Sequence, residues 1–309
     1  MMTEFLAQLA NGDFEPVVAS HTTSIVTAFV IVCSLIAYFI FRRREVASDA
    51  AVKNTLATFG LYGFNLVFVP VAFFAEEWIE VFYDSLHIPR FASSIWEGWP
   101  IILVLFMGFA AKDFLDYWTH RLMHTKWFWP IHAAHHSDTH VNGFTAYRVH
   151  ILEGVLMKSS YIFTLTWLGF PNEQVALIAL LEALHGAYVH LESDFDHGPF
   201  NWLIASPRFH RWHHADHPEV YGKNLANHMP IYDMVFGTYH NPAPCPHPLG
   251  GLSDGIPDHN IIKLAILPYS LWKQRIQKTF WSSSATAKAS DTMALAAADL
   301  HQSKLQKGI

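Results

Sequence analysis

Long apolar runs alternate with short charged segments along the first third of the chain. Residues 22–41 carry no charged side chain over twenty positions, residues 56–75 form a second run, and residues 96–111 form a third. At a rise of about 1.5 Å per residue, twenty helical residues cover about 30 Å, the thickness of the hydrocarbon core of a bilayer. The pattern therefore predicts about three membrane-spanning helices in an N-terminal transmembrane region, residues 1–111. The third helix is expected to continue beyond that region.

Two shorter apolar stretches follow, residues 154–170 and 175–189, and Pro171 lies between them. Each has 15–17 residues, which is at or below the usual length of a span. They predict a helical hairpin over residues 154–189. The hairpin either crosses the membrane twice or enters and leaves on the same side, and the sequence leaves both possibilities open. In either case the chain returns to the side that it left.

The distribution of basic residues predicts the orientation of these helices. Residues 1–21 contain no Lys or Arg, whereas residues 42–55 contain four. Because positively charged loops remain on the cytoplasmic side of a membrane, the N-terminus is expected outside and residues 112–150 and 190–259 in the cytoplasm. The predicted fold is an all-α integral membrane helical bundle of about three spans plus a helical hairpin. A histidine-rich helical cap is predicted on the cytoplasmic side.

The rest of the chain divides into three parts. Residues 112–259, which include the hairpin, carry most of the candidate chemistry. Residues 260–282 contain a 12-residue apolar patch that is too short to span a membrane, and they are predicted to lie on the membrane surface. Residues 283–309 are rich in Ala, Ser and Lys, which predicts a mobile tail.

Composition agrees with a membrane domain and excludes several classes of protein. Hydrophobic residues make up 51% of the 309 positions and charged residues only 15%, against about 25% in soluble domains. A formal net charge of −6 argues against a nucleic-acid-binding protein. Two cysteines are too few for a disulfide framework or a thiolate metal site. Histidine is the outlier, with 21 residues against 20 Lys and Arg combined.

Many of these histidines recur at spacings that bring side chains together on a helix. One HxxxH and two HxxHH motifs place their members at i, i+3 or i+4, on a single helical face, and one further pair is separated by four residues. Neutral imidazole binds Zn, Cu, Fe and Ni, so the spacing does not choose the metal. Ten ligands are too many for one tetrahedral zinc and fit two metal ions. The predicted ligands are His120, His124, His132, His135, His136, His185, His190, His210, His213 and His214.

Carboxylates near these motifs are candidates to hold the outer nitrogens of the metal ligands. A metal-bound histidine usually donates its second N–H to a carboxylate or a carbonyl. Asp116 lies one helical turn before His120, and Glu153 and Asp233 are further candidates. The remaining histidines are interpreted as ordinary core or surface residues, although this interpretation fits His217, His228 and His240 less well.

Other chemistries have weaker support in the sequence. The patterns HExxH, GxxxxGK[ST] and GxGxxG are absent, so zinc proteolysis, P-loop phosphate binding and dinucleotide binding have no support. A histidine-rich metal-transporting or metal-binding membrane protein is the alternative from another functional class. It would need polar ligands near the bilayer midplane along several spans. The first two predicted spans contain no Asp, Glu, Lys, Arg or His, which favours a catalytic site at one membrane face.

The order of these motifs resembles the sterol desaturase/fatty acid hydroxylase superfamily of integral-membrane di-iron enzymes, and the resemblance runs from about Asp113 to Tyr239. The elements Arg-x-His-x-x-Glu at 148–153 and Pro-Arg-x-His-Arg-x-His-His at 207–214 separate this group from acyl desaturases, which also carry histidine motifs. One stretch departs from the pattern of the superfamily. Many members have Asp-x-Asn-Tyr-Gly, where this chain has Pro-Glu-Val-Tyr-Gly at 218–222. The matching segments are HRLMH (120–124), WPIHAAHHSD (129–138), AYRVHILE (146–153), SPRFHRWHH (206–214) and YDMVFGTY (232–239).

The resemblance implies roles for individual residues. Eight of the ten predicted ligands fall on ligand positions of the family. After the hairpin, His190 matches the family position best, and His185 would be its partner. Arg148, His150 and Glu153 would lie beside the metals without themselves being the main ligands.

The resemblance also implies an activity. Members use O2 and two iron ions to hydroxylate or desaturate an unactivated C–H bond of a lipid. Hydroxylation is the broader outcome in the superfamily, but no residue decides between the two, and sterol, fatty acyl, sphingolipid, alkylglycerol and carotenoid substrates all remain open. We expect a separate electron donor, a ferredoxin or a small haem protein, and no nucleic-acid partner. Because the chain ends without a dilysine signal, a bacterial inner membrane is favoured over an endoplasmic-reticulum membrane.

Overall fold

The computed structural model describes residues 48–66, 78–79, 81–250 and 259–279. Apart from one isolated bridge between Ala215 and Leu249, all regular secondary structure in these ranges is helical, which confirms the predicted all-α class. The principal α-helices are α1 (Asp49–Leu66), α2 (Ile101–Met123), α3 (Trp129–His136), α4 (Ile151–Trp167), α5 (Asn172–Val189), α6 (Pro207–His213), α7 (Ile231–Phe236) and α8 (Ile261–Ala265), and residues 81–85 and 267–279 are also helical. Short 3-10 turns cover Ser93–Trp96, Gly143–Tyr147, Gly198–Phe200 and Pro218–Val220.

Helix α2 is the central element, and it packs against α4 and α5. In its first half, Val104 joins Ile162 and Leu165 of α4 and Ile178 of α5 in an apolar core. Gly108 leaves room for the Ile178 side chain, which a Cβ at that position would meet. The second half of α2 buries polar side chains instead, each at most 4% exposed: Lys112, Asp113, Asp116 and His120. The helix therefore runs from an apolar core into a polar site.

Helices α4 and α5 follow each other across a short turn where the sequence predicts a helical hairpin over residues 154–189, and each of them packs against α2. The hairpin packing itself stays a prediction. Gly169 makes the turn with φ +64°, in the left-handed region that favours glycine, and a Cβ there would meet the backbone of Phe91. Pro171 then caps the N-terminus of α5. Together, the two helices form one wall of the candidate site that lies at the end of α2.

None of the helices in the described ranges is both long enough and apolar enough to cross a membrane. The predicted span 22–41, and positions 67–75 of the second span, lie outside the described residues. Residues 96–111 do not form one continuous helix, because a 3-10 turn ends at Trp96 and α2 begins only at Ile101. The three-span bundle and its orientation therefore stay predictions.

The C-terminal part separates at Ile266 into a second compact unit. Helix α8 belongs to the first unit and lies against α1, where Ile261 occupies the space beside Gly60. Residues 267–279, in the second unit, are helical. The membrane-surface position of residues 260–282 stays a prediction, and the predicted tail 283–309 lies outside the described residues.

Candidate metal centre

Two short helices carry the HxxHH motifs. Helix α3 has Pro130 in its first turn, and α6 begins at Pro207 after Ser206, whose hydroxyl accepts a hydrogen bond from the Phe209 amide. Proline in the first turn and serine at the N-cap both favour the start of a helix. Because both motifs are helical, their histidines at i, i+3 and i+4 project from one side.

Nine of the ten predicted ligands lie in two neighbouring groups, and in each group one nitrogen from every residue lies within 4.8 Å of the others. The groups adjoin each other, since the His136 ring of one stacks on the His214 ring of the other with centroids 4.5 Å apart. The first group contains His120, His124, His132, His136 and His213. The second group contains His135, His190, His210 and His214.

Hydrogen bonds to outer partners fix the rings of the first group. His120 donates from Nδ1 to the Leu225 carbonyl at 2.7 Å, and His213 donates from Nδ1 to the Lys223 carbonyl at 2.9 Å. A carbonyl oxygen only accepts, so Nδ1 carries the hydrogen and Nε2 of the neutral ring keeps its lone pair. His132 is held in the same way, because its Nδ1 lies 2.6 Å from a carboxylate oxygen of Glu153.

The inner nitrogens of the first group converge at short range. His120 Nε2 lies 2.9 Å from His132 Nε2, and His136 Nε2 lies 3.1 Å from the Nε2 atoms of His132 and His213. Two lone pairs at this separation repel each other unless a cation lies between them. Nitrogens bound to one ion at about 2.0–2.1 Å lie about 3 Å apart. The first group therefore fits a metal ion.

The second group also combines an outer hydrogen bond to a backbone carbonyl with short distances between its inner nitrogens. His190 donates from Nδ1 to the Gly186 carbonyl at 2.7 Å, and its Nε2 lies 2.9 Å from His210 Nε2 and 3.3 Å from His135 Nε2. His214 Nε2 lies 3.1 Å from His210 Nε2 and 3.2 Å from His190 Nε2. Four nitrogens around one point form a donor set that fits a second metal ion.

Burial keeps these imidazoles in the form that binds metal. Burial lowers the pKa of His120 and His190 to about 4. Burial, together with the neighbouring histidines, lowers the pKa of His132, His136 and His214 well below the ordinary value of 6.5. Only the neutral ring has a lone pair for a metal. The groups therefore offer nitrogen ligands at neutral pH.

Arg148 supports the helix that carries the first HxxHH motif. The side chain is fully buried and donates from Nε to the Ala134 carbonyl at 3.1 Å and from Nη2 to the Ser137 hydroxyl at 2.9 Å. Its Nη1 donates to the Asn54 carbonyl at 3.3 Å. Arg148 thus joins α1 to the C-terminal end of α3.

Asp233 supports the first group through the backbone. Its two oxygens accept hydrogen bonds from the amides of Leu225 and Ala226 at 2.7 and 2.8 Å, and it also accepts from the Thr238 hydroxyl at 2.6 Å. Because the Leu225 carbonyl accepts from His120, the carboxylate acts on that ligand through the chain and does not touch it.

Two predicted supporting residues lie elsewhere. Asp116 does not contact His120, since its carboxylate pairs with Lys112 and accepts from the Ser160 hydroxyl at 2.8 Å. Lys112, 1% exposed, needs this buried carboxylate to offset the loss of its hydration. His150 caps α4 by accepting from the Leu152 amide, and it donates from Nε2 to the Ala265 carbonyl. It is therefore placed in neither group.

His185 also joins neither group, which corrects the predicted set of ten ligands. Its Nε2 donates to the Ala205 carbonyl at 3.2 Å, and its ring lies 4.9 Å from the ring of His228. Five residues along an α-helix correspond to a rotation of about 140°. His185 and His190 therefore leave α5 on different sides.

Sequence reasoning missed the backbone acceptors that orient the ligands, the carbonyls of Gly186, Lys223 and Leu225. Every residue has a carbonyl, so no residue type signals this role. Lys112 was also missed, although a lysine four residues before an aspartate in an apolar helix is a signal for an ion pair.

A cavity of about 440 Å³ adjoins both groups. Met157 of α4 and Ala179 and Val189 of α5 contribute to an apolar wall. The volume is within the range of roughly 300–1,000 Å³ that is typical of small-molecule sites. An apolar molecule in this cavity would therefore contact both histidine groups, whose members among the lining residues are His120, His132, His135, His190 and His210.

Replacing Glu153 with glutamine is expected to weaken metal binding about 10–100-fold. The amide keeps an oxygen that accepts from His132 but removes the negative charge that favours a cation on the far side of that ring. Competition with a chelator of known affinity measures the change. Glu219→Gln, at an exposed position, is the matched control and should leave the affinity unchanged. Equal affinities for the Glu153→Gln variant and the wild type would contradict the assigned role.

Comparison with known proteins agrees with this geometry. A model of the fatty acid hydroxylase family matches residues 105–238. Ornithine lipid hydroxylase OlsE of Rhizobium tropici is 31% identical over 156 residues, which cover 48% of this chain and 46% of that protein. Alkylglycerol monooxygenase of Danio rerio is 31% identical over 160 residues, 51% of this chain and 34% of that protein. Very-long-chain aldehyde decarbonylase GL1-11 of Oryza sativa subsp. indica is 31% identical over 157 residues, which cover 45% of this chain and 54% of that protein.

The chain thus spans about half the length of these curated relatives, or less. No solved structure matches it significantly. The family match covers all nine gathered histidines, most of the central helix α2, and helices α4 and α5. The match to the fatty acid hydroxylase family model and the similarity to these relatives support the sterol desaturase/fatty acid hydroxylase superfamily.

Proposed function

We propose that this chain is a membrane-bound di-iron oxidoreductase that uses O2 and an external electron donor to hydroxylate, or desaturate, a C–H bond of a lipid. One observation carries the proposal: two groups of neutral histidine nitrogens border one largely apolar cavity. The similarity to lipid hydroxylases and monooxygenases supports the reaction type. The resemblance to di-iron membrane enzymes favours iron among the metals that imidazole binds.

Two iron ions held by these histidines would supply the redox chemistry that reduces O2 and oxidises an unactivated C–H bond. In hydroxylation, one oxygen atom enters the C–H bond, and the other leaves as water with two electrons and two protons from the donor. The histidines fix where the oxidation takes place, and the walls of α4 and α5 exclude water and orient the lipid chain. A ferredoxin or a small haem protein is the proposed source of electrons.

The surface of α2 supports a membrane location. Large apolar side chains are exposed along its first two turns, and Ile102 is 74% exposed. Contiguous exposed apolar surface marks contact with a membrane or a partner. Together with the apolar run at 22–41, this favours an integral protein of a bacterial inner membrane with the histidines on the cytoplasmic side. The exposed side chains are Ile101, Ile102, Leu103, Phe106 and Met107.

The arrangement favours a fixed site over metal transport. A transport path needs ligands at successive depths along several helices. In the described part of the chain, the gathered histidines instead form two compact groups beside the C-terminal end of α2. Supporting residues such as Glu153 hold their rings in place.

A lipid-oxidation screen tests the proposal. The purified iron-loaded protein is incubated with isotopically heavy O2, a reductant and a panel containing an ornithine lipid, an alkylglycerol, a fatty acid and a sterol. A product that gains one labelled oxygen, or loses two hydrogens, is expected with one lipid class, and it should disappear when O2 is omitted. Iron-loaded protein that oxidises no lipid with any donor tested, yet moves iron across proteoliposomes, would overturn the proposal.

A further inference from the structure

Asp113 holds a histidine that belongs to neither metal-binding group. This buried carboxylate on α2 accepts from the amide and Nδ1 of His228 at 3.0 and 3.1 Å, and from the Met229 amide at 2.6 Å. Three N–H donors on one side chain require a carboxylate that accepts at both oxygens. Asp113 therefore fixes both the position of the 228–229 backbone and the orientation of the His228 ring.

This contact also decides which nitrogen of His228 is free to accept. Because the Asp113 carboxylate only accepts, Nδ1 carries the hydrogen, so Nε2 is the ring nitrogen left to bind another group. The ring also contacts Phe109 and His185, with centroids 5.3 and 4.9 Å away, and the residue is only 6% exposed. Within the described residues, His228 Nε2 has no hydrogen-bond partner.

His228 lines the same cavity that the metal-binding histidines line. Its lining includes the polar side chains of Asn227, Lys158 and Glu182 and the apolar side chains of Met157, Ala179 and Val189. His228 Nε2 is not one of the fully buried unpartnered nitrogens of the described residues, so a molecule in the cavity can reach it. A bound molecule that offers an O–H or N–H at this point would give this nitrogen a partner.

We propose that His228, oriented by Asp113, accepts a hydrogen bond from an O–H or N–H group of the lipid substrate. Resting on the proposed function, this inference names a substrate class: lipids that carry a hydroxyl or amide donor, as opposed to hydrocarbon chains without one. Asp113 is a positioning residue, because it acts on the substrate only through the ring. The donor places the lipid in the cavity relative to the two histidine groups.

Equilibrium binding of matched probes tests the inference without turnover. Hexadecan-1-ol is compared with its methyl ether, and N-hexadecylacetamide with its N-methyl derivative, on the metal-loaded protein in the absence of O2 and reductant. The donor-bearing member of at least one pair is expected to bind about 10-fold more tightly, the effect of one neutral hydrogen bond. Metal content is measured on the same sample.

Three variants assign the preference to this pair of residues. His228→Phe should bind both members of a pair within about 2-fold of each other, because the acceptor is gone. His228→Gln, which retains an acceptor oxygen, should recover part of the preference. Asp113→Asn can donate to Nδ1 and move the hydrogen to Nε2, so it should abolish the preference, because both members of each pair can accept from Nε2–H.

The outcomes separate this inference from the proposed function. Equal binding of both members of each pair by the wild type, no binding of any probe, or a preference that survives in His228→Phe would overturn the role of His228. If those samples still hold metal and oxidise a lipid, the proposed function stands. If the wild-type protein binds no metal under any loading condition, the proposed function is wrong, whichever probes the protein binds.

Discussion

His213→Ala is expected to lower bound iron from about two ions per chain to about one and to abolish lipid oxidation. The substitution removes one of five nitrogens from the first group, and the His136 and His120 rings each lose one of their neighbours. His135→Ala should have the same effect on the second group, which has only four nitrogens. Oxidation is lost in both variants because the proposed chemistry needs both ions. Elemental analysis of purified protein and product analysis by mass spectrometry measure the two effects.

His87→Asn is the matched control for these variants. His87 is exposed and has φ 53°, a left-handed conformation that asparagine tolerates better than most residues. Iron content and oxidation should remain at the wild-type level. Iron content that is equal in His213→Ala, His135→Ala and the wild type would show that these histidines are not ligands.

Arg148→Met is expected to lower the free energy of unfolding by about 3–5 kcal/mol, because hydrogen bonds to a buried charged group contribute about 1.5–3 kcal/mol each. The Ala134 and Asn54 carbonyls keep other donors, but each of them loses its hydrogen bond from the arginine, as does the Ser137 hydroxyl. Helix α3 then loses its link to α1, so iron content should fall as well. Thermal unfolding of the purified protein, compared at equal iron loading, measures the stability.

Arg90→Met is the control for the loss of an arginine. Arg90 pairs with Asp84 at 2.6 Å, but the two side chains are 28% and 69% exposed, and such pairs contribute at most about 1 kcal/mol. Arg148→Lys keeps a cation and some of the donors, so its stability should lie between that of Arg148→Met and the wild type. If Arg148→Met is no more destabilised than Arg90→Met, Arg148 does not hold α3 in place.

The features of the site that follow from local geometry could be predicted from the sequence. Histidines at i, i+3 and i+4 share a helical face wherever the helix packs, so α3 and α6 each direct all three histidines of their motif towards the site. The division of each motif between the two groups depends on the packing and was not predictable in this way. The break between α4 and α5 was predictable for a similar reason, since Gly169 and Pro171 interrupt an otherwise apolar pattern. These predictions needed no knowledge of how the helices meet.

Features that depend on how helices meet could not be predicted in the same way. His185 was grouped with His190 by sequence proximity, but the rotation of α5 turns it towards His228. Asp116 was expected beside His120, but Lys112, on the same helix, takes that carboxylate. A buried charge needs a partner that offsets its desolvation cost, and the packing of the surrounding helices decides which partner lies within reach.

The backbone carbonyls that orient the metal-binding histidines, and the position of His228 on the cavity wall, also depend on how the helices meet. The partners of His120 and His213 are main-chain oxygens of residues 223–225, which no side-chain pattern marks. His228 stood out in the sequence only as a histidine that fitted a core role poorly. Its link to Asp113 joins positions 115 residues apart, and only the fold brings them together.

The most direct test of the two-ion site is the metal content of the purified, unmodified protein, prepared without oxygen and loaded with Fe(II). The two histidine groups predict about two tightly held irons per chain, retained through gel filtration. A single iron per chain would show that only one of the two groups binds a metal ion. No retained iron, from a protein shown to be folded by its thermal unfolding, would contradict the site itself and with it the proposed oxidation of a lipid.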